Sequence, residues 1–240
     1  MAKTERDGGQ STPATTQFII VLCLLAVALL IALLYLQLAP QQALKQEAAE
    51  PEPRTHEMLN AVLWHKTSAE YEAVARQAYA TAQEKLIRGL EDISWSAIPN
   101  ANSASSTSPP AVILDLDETV LDNLPFEEHL ITNDAEFSSK SFQVWCENET
   151  AEAIPGAVEF IRTARDLGVA VFFISAREPV MRDCTKKDLE KIGVPVASDD
   201  KLILTGGAEK ETHREAIAKT HRVLMLIGDN LDDFTEGSRL

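Results

Sequence analysis

Ala111-Val112-Ile113-Leu114-Asp115-Leu116-Asp117-Glu118-Thr119-Val120-Leu121-Asp122-Asn123 is the stretch that decides how this chain is read. Ala111–Leu116 is a short apolar run of strand character, and carboxylates arrive at its end. Side chains two apart on an extended segment project to the same side, so Asp115 and Asp117 are expected to face one site. Neighbouring carboxylates repel, which raises one pKa or recruits a cation. A cap on the following turn would account for one aspartate and leave the other unexplained.

Downstream the chain alternates strand and helix. Pro155 to Leu167 reads as a helix, with proline near its start and Gly168 just past its end. Val169–Ser175 is a second buried strand, and Pro179–Ile192 a charged helix. Lys201–Thr205 is a third strand, Ala208–Thr220 a helix and Val223–Ile227 a fourth strand. This alternation predicts an α/β fold, a parallel sheet covered by helices on both faces.

Ligands of such sheets bind beyond the carboxyl ends of the strands, and the polar residues collect there. The second strand ends Phe173-Ile174-Ser175-Ala176-Arg177, the fourth Ile227-Gly228-Asp229-Asn230-Leu231-Asp232-Asp233-Phe234, and Lys210 opens the helix between them. Taken singly each is ordinary: serine after a strand is common turn chemistry, acidic loops are often solvated surface, and most lysines are surface lysines. Their order makes the case.

Upstream, a Ser/Asn/Pro-rich connector spans 99–110, preceded by a helical extension over 58–98. There Thr67 and Glu70 stand at capping-box spacing, and Tyr71, Val74, Ala75, Ala78, Tyr79, Ala82, Leu86 and Leu90 recur at helical spacing, a stripe read as core packing. Residues 40–57, with Pro40, Pro51 and Pro53, read as a tether. Residues 18–39 form an apolar run interrupted only by Gln37, long enough to cross a bilayer. A signal peptide's apolar region is shorter, roughly 7–15 residues, and Ala39-Pro40 is a poor cleavage context, so an uncleaved single-pass anchor is expected behind a short tail (1–17). Lys3 and Arg6 face Lys45 and Arg54 across the run; the α-amine tips the balance towards a cytoplasmic N-terminus and an exported C-terminal domain. The net charge of −15 over 240 residues excludes a nucleic-acid backbone as partner.

The series D-x-D, then serine, then lysine, then G-D-x-x-x-D resembles the haloacid dehalogenase superfamily in element order. Asp115–Asn123 and Gly228–Phe234 resemble more narrowly the class C bacterial acid phosphatases, which include lipoprotein 5′-nucleotidases of the envelope. Trp64 through Tyr79 is similar to the long helix that precedes their catalytic domain. The resemblance implies a Rossmannoid catalytic domain over 111–240 with a small insert after the first strand. It implies a phosphoric monoester hydrolase with Asp115 as nucleophile and Asp117 as acid and base. Ser175 and Lys210 would hold phosphate, with Lys201 the weaker choice for the lysine. Mg2+ would lie between Asp115, the Asp117 main-chain carbonyl and Asp229, with Asp233 orienting its neighbours. An envelope family also implies an inner-membrane anchor and a periplasmic domain.

Ala176 departs from the asparagine often found at that position. Relatives continue past the fourth motif, whereas this sequence stops at Leu240. That leaves Phe126, Phe137, Phe142 and Trp145 of the insert to contact substrate and predicts broad specificity. Cys146 and Cys184 are expected as free, partly buried thiols, with a disulfide between them, which an oxidising compartment would permit, as the lesser alternative; Cys23 reads as membrane filler. Two other readings stay open: a phosphotransferase on the same fold, and a non-catalytic membrane protein that keeps the fold for binding.

Overall fold

A computed structural model describes residues 13–47, 56–98, 107–148 and 151–235. The chain divides into two units, Met1–Thr55 and His56–Leu240.

In the first unit one helix, α1, runs Pro13–Glu47. Its window Ile20–Gln37 has a mean hydropathy of 2.8 and none of it is buried, so by length and composition it can cross a membrane. The helix passes Pro40, so the start of the expected tether is helical. Gln41 to Glu47 are mostly good helix formers, which offsets the one backbone donor a proline removes. Residues 48–55 of that tether lie outside the described residues.

The second unit opens with α2 (Leu59–Thr67) and α3 (Ala69–Glu91). The cap falls one residue later than the Thr67–Glu70 spacing suggested. Ser68 is extended, at φ −88° and ψ 124°, and its Oγ accepts the Tyr71 N–H at 3.0 Å. Thr67 instead closes α2, its hydroxyl donating to the Leu63 carbonyl at 2.6 Å. At the far end of α3, buried Arg222 donates through Nη1 to the carbonyls of Gly89 (2.7 Å), Asp92 (3.0 Å) and Trp95 (3.3 Å). A cation thus satisfies acceptors that a helix C-terminus leaves open.

The sheet-bearing part follows as β1 (Pro110–Leu114), β2 (Leu121–Asp122), α4 (Leu124–Thr132), α5 (Ser139–Asn148), β3 (Glu152–Ala153), α6 (Ala157–Asp166), β4 (Ala170–Ser175), α7 (Arg182–Lys191), β5 (Leu202–Leu204), α8 (Glu211–Ala218) and β6 (Arg222–Ile227). The main sheet has the order β5-β4-β1-β6, all parallel. Alternation along the strands feeds two cores. Val112, Leu114 and Phe173 face Leu86, Phe160 and Leu189 on one side. Ala111, Ile113, Phe172 and Ile174 face Ile217 and Ala218 on the other. Complete burial of one such large side chain is worth about 1.5–3 kcal/mol, so a one-residue slip of β1 would exchange the contents of both cores. In α6, Ala157, Phe160, Ile161 and Ala164 recur at helical spacing and are buried together.

The insert between β1 and β4 comprises α4 and α5 over the antiparallel pair β2–β3. Three of its aromatics pack on one another: Phe126 lies 5.1 Å from Phe142 and 5.5 Å from Trp145, centroid to centroid. All three are buried, whereas Phe137 is 62% exposed.

Candidate active site

At the carboxyl edge of the sheet the Asp115 N–H donates to the Ile227 carbonyl at 2.9 Å, tying the end of β1 to β6. The Leu116 carbonyl then accepts N–H groups from Val120 and Leu121, both at 2.8 Å, closing a tight loop. Glu118 is left-handed there, at φ 56°, an uncommon conformation for a residue with a Cβ.

Asp115 is buried against Lys210, the residue that caps α8. The same ammonium donates to Asp233 Oδ1 at 2.6 Å. Burial pushes the Asp115 carboxyl up to about 7, against the pull of Lys210 and with the push of Asp117. Burial would lower the Lys210 pKa, but its two carboxylate partners hold it above its ordinary value.

Asp233 is fixed by the loop after β6. Its Oδ2 accepts the Asn230 N–H at 3.0 Å, while Asn230 Oδ1 accepts the Asp232 N–H at 3.1 Å. A Cβ on Gly228 would lie 2.2–2.4 Å from Asp233 atoms, so only glycine fits beneath this aspartate. Oxygens of Asp115, Asp229 and Asp233 all come within 4.8 Å of one another. Burial, followed by the Asp233 and Asp117 charges, raises the Asp229 carboxyl, with its own backbone N–H and Lys210 opposing. Two of these three carboxylates share one ammonium, which leaves an all-oxygen donor set with negative charge to spare, and that fits a hard divalent cation.

Asp117 lies on the other side of the same opening, and its side chain belongs to a different cluster. Oδ1 accepts from Arg177 Nε (2.9 Å), Arg177 Nη2 (2.8 Å) and Asn123 Nδ2 (2.8 Å). Oδ2 accepts from Ser175 Oγ at 3.2 Å. Burial would raise this carboxyl, but the Arg177 charge and these hydrogen bonds outweigh it and hold it below the usual range. The Ser175 hydroxyl also accepts the Arg177 N–H at 3.1 Å and is fully buried, so it must exchange a partner to reach a phosphoryl oxygen.

Residues 28–240 match the family model of the HAD superfamily, subfamily IIIB (acid phosphatase). The class C acid phosphatase of Bacillus anthracis is similar in structure, with TM-score 0.66 and 34% identity over 75% of this chain and 72% of that one. The same enzyme with tungstate bound aligns equally well, over 76% and 72%. Acid phosphatase 1 of Solanum lycopersicum is 33% identical over 94 residues, which span 36% of that protein.

The chain belongs to the HAD-superfamily acid phosphatases.

In this member of the family the site has two compartments. A cleft of about 610 Å3 is lined by Asp115, Lys210, Asp229 and Asp233 among others. A second cavity of about 320 Å3 carries Phe126, Phe137, Phe142 and Met181 on its wall. Asp117, Glu118 and Ala176 line both, so the two meet at the acid/base candidate. Lys201 is remote from this edge: it stands at the N-terminal end of β5, beside Asp200 and over the Phe172 ring.

Cys146 and Cys184 correct the free-thiol expectation. They form a disulfide that joins α5 to α7, with Cα atoms 5.7 Å apart. A separation of 38 residues carries no information about that distance; it depends on α5 docking against α7. The helical stripe of α3 also does more than fill a core. Tyr79 donates its phenol to the Thr119 carbonyl at 2.6 Å. Burial, then the charges of Asp122, Glu118 and Asp229, raises the Tyr71 pKa, so α3 borders the acidic edge.

Proposed function

We propose that the chain is a membrane-anchored, Mg2+-dependent acid phosphatase that hydrolyses phosphate monoesters through an aspartyl-phosphate. The observation that carries this reading is Asp115, buried against Lys210 beside Asp229 and Asp233, with a second carboxylate two residues away. The tungstate-bound relative supports an oxyanion as ligand, since tungstate and phosphate are both tetrahedral oxyanions.

In the first step an Asp115 carboxylate oxygen attacks phosphorus in line and the bond to the alcohol oxygen breaks. Asp117, ionised in the free site, takes up a proton as substrate binds and passes it to the leaving alkoxide. In the second step Asp117 takes a proton from water as that water attacks the phosphoryl group, which frees Asp115 and releases phosphate. Lys210 keeps Asp115 oriented and offsets charge, while Ser175 and its backbone neighbours hold phosphoryl oxygens. Mg2+ held by Asp115, Asp229 and the Asp117 main-chain carbonyl would screen the repulsion between carboxylates and a dianionic substrate.

The 320 Å3 cavity beside Asp117 suits the alcohol half of the substrate. Phe137 is the one insert aromatic with an exposed ring, and a single base–aromatic stack is worth about 1–3 kcal/mol. The substrate class is therefore broad, with at most a mild preference for nucleoside monophosphates. The apolar window of α1 supports an inner-membrane anchor, with the catalytic unit on the periplasmic side.

The deciding assay is turnover of an aryl phosphate by the full chain in detergent, with and without Mg2+. No turnover in either condition would leave a binding protein that keeps the fold, and transfer to added glycerol in place of water would make it a phosphotransferase. Specificity is read by kcat/KM for a nucleoside 5′-monophosphate against an aliphatic phosphate of similar leaving group, where a strong nucleotide preference would contradict the broad class. Protease added to spheroplasts should digest the catalytic unit; digestion only after lysis would put it in the cytoplasm.

A further inference from the structure

Arg177 is a buried cation that the reaction above does not use, and every edge of its guanidinium is engaged. Nε and Nη2 form a fork on Asp117 Oδ1, at 2.9 and 2.8 Å. Nη1 donates to Thr185 Oγ1 at 3.0 Å and to Asp188 Oδ2 at 3.3 Å. Nη2 also reaches Asn123 Oδ1 at 3.3 Å. The Phe142 ring covers its face, with the centroid 5.1 Å from Cζ. The Cys146–Cys184 disulfide lies alongside, with Cys146 Sγ 3.6 Å from Nη1. Arg177 is 3% exposed and Asp188 fully buried, so the group neither swings to solvent nor serves as a surface ion pair.

The two oxygens of Asp117 are treated unequally. Oδ1 carries three donors and has no capacity left. Oδ2 carries the Ser175 hydroxyl at 3.2 Å and a longer share of Arg177 Nε, also at 3.2 Å. A carboxylate oxygen offers about two lone-pair sites, so Oδ2 is the oxygen that frees a site when the serine hydroxyl turns away.

We infer that Arg177 is a positioning residue for Asp117: its fork, braced by Asp188, Thr185 and the disulfide-tied helices, anchors Oδ1 and leaves Oδ2 to exchange the proton in both halves of the reaction. This rests on the assignment of Asp117 as acid and base. Lysine cannot substitute, because an ammonium is a point charge without the planar fork that fixes a carboxylate in two directions. Arg177 acts through Asp117, so its loss should reproduce the loss of Asp117 and add nothing to it.

The test is a double-mutant cycle in the full chain with an aryl phosphate whose good leaving group needs no acid. Arg177→Lys should lower kcat by about 10²-fold, within the range of general acid–base catalysis, with KM changed less than about threefold. Acid-quenched samples should show phosphoenzyme accumulating as it does in Asp117→Asn, because water attack then lacks its base. In the Asp117→Asn background the same substitution should cost less than about twofold, the signature of two residues acting as a unit. An equal loss in both backgrounds, a change confined to KM, or a slow enzyme without accumulated phosphoenzyme would each reduce Arg177 to a structural ion pair and overturn the proposal. If Arg177→Lys does not fold, as judged by thermal melting, Asn123→Ala removes one Oδ1 donor and enters the same cycle with the same required non-additivity. Wild-type turnover is measured first: its absence would defeat the assignment of function itself, whereas turnover with an additive cycle defeats only the positioning role.

Discussion

Asp115 and Asp117 stand two residues apart on one loop, yet they belong to opposite electrostatic neighbourhoods. On the β6 side Asp115 and Asp233 share the ammonium of Lys210, and Asp229 brings a third carboxylate within 4.8 Å of both. On the β4 side the guanidinium of Arg177 lies between Asp117 and Asp188. The first cluster keeps excess negative charge, and burial drives Asp115 up to about 7. The second is nearer balance, and Asp117 is held low even though burial opposes it. A buried carboxylate thus stays ionised where a planar fork and two further donors meet it. It remains open to a cation where one shared ammonium must serve several acids.

Removing one carboxylate at a time should separate the two neighbourhoods most clearly. Asp115→Asn should abolish both turnover and phosphoenzyme, a loss on the order of 10⁶-fold, as for other nucleophile deletions. Asp117→Asn should still form some phosphoenzyme with good leaving groups. Acid-quench measurement reads the difference, and phosphoenzyme in Asp115→Asn would mean that the nucleophile lies elsewhere.

Excess chelator should act on the β6 side alone, lowering turnover by roughly 10³-fold, since metal screening is worth several kcal/mol at about 1.4 kcal/mol per decade. Readdition of Mg2+ should restore the rate. Full activity in chelator would show that Lys210 alone neutralises the three carboxylates.

Reducing the Cys146–Cys184 bridge should act on the β4 side. A closed loop of this size stabilises by about 2–4 kcal/mol, so the denaturant midpoint should fall on reduction. An unchanged midpoint would show that packing of α5 on α7 suffices by itself.

Gly228→Ala should cost about 1–3 kcal/mol by overpacking, because the new methyl displaces Asp233 and with it the second anchor of Lys210. Lower kcat with unaltered Asp117-dependent phosphoenzyme breakdown would keep the effect on the β6 side. The smallest effect belongs to Thr119→Val. The hydroxyl reaches Asp229 only at 3.5 Å, beyond good hydrogen-bond geometry, so kcat/KM should change less than about twofold. A larger change would make Thr119 part of the metal-holding set.

The strand–helix alternation and the edge of the sheet that carries the chemistry are legible in the linear chain. Those features depend on local periodicity, which a linear pattern records: apolar residues in Ala111–Leu114 and Val223–Ile227, then acids within a few residues of each strand end. The G-D-x-x-x-D run was legible for the same reason, because Gly228, Asn230 and Asp233 meet within one turn of chain. How Asp117 is held depends on the folded chain. Its partners come from the insert (Asn123), the end of β4 (Ser175) and the loop beyond it (Arg177), and Arg177 in turn leans on Thr185 and Asp188 of α7. The disulfide is of the same kind, formed between two helices by cysteines 38 residues apart. Burial removes water from each of these groups and leaves every charge dependent on partners brought by other elements. Distances between elements follow from packing, and no spacing along the chain encodes them.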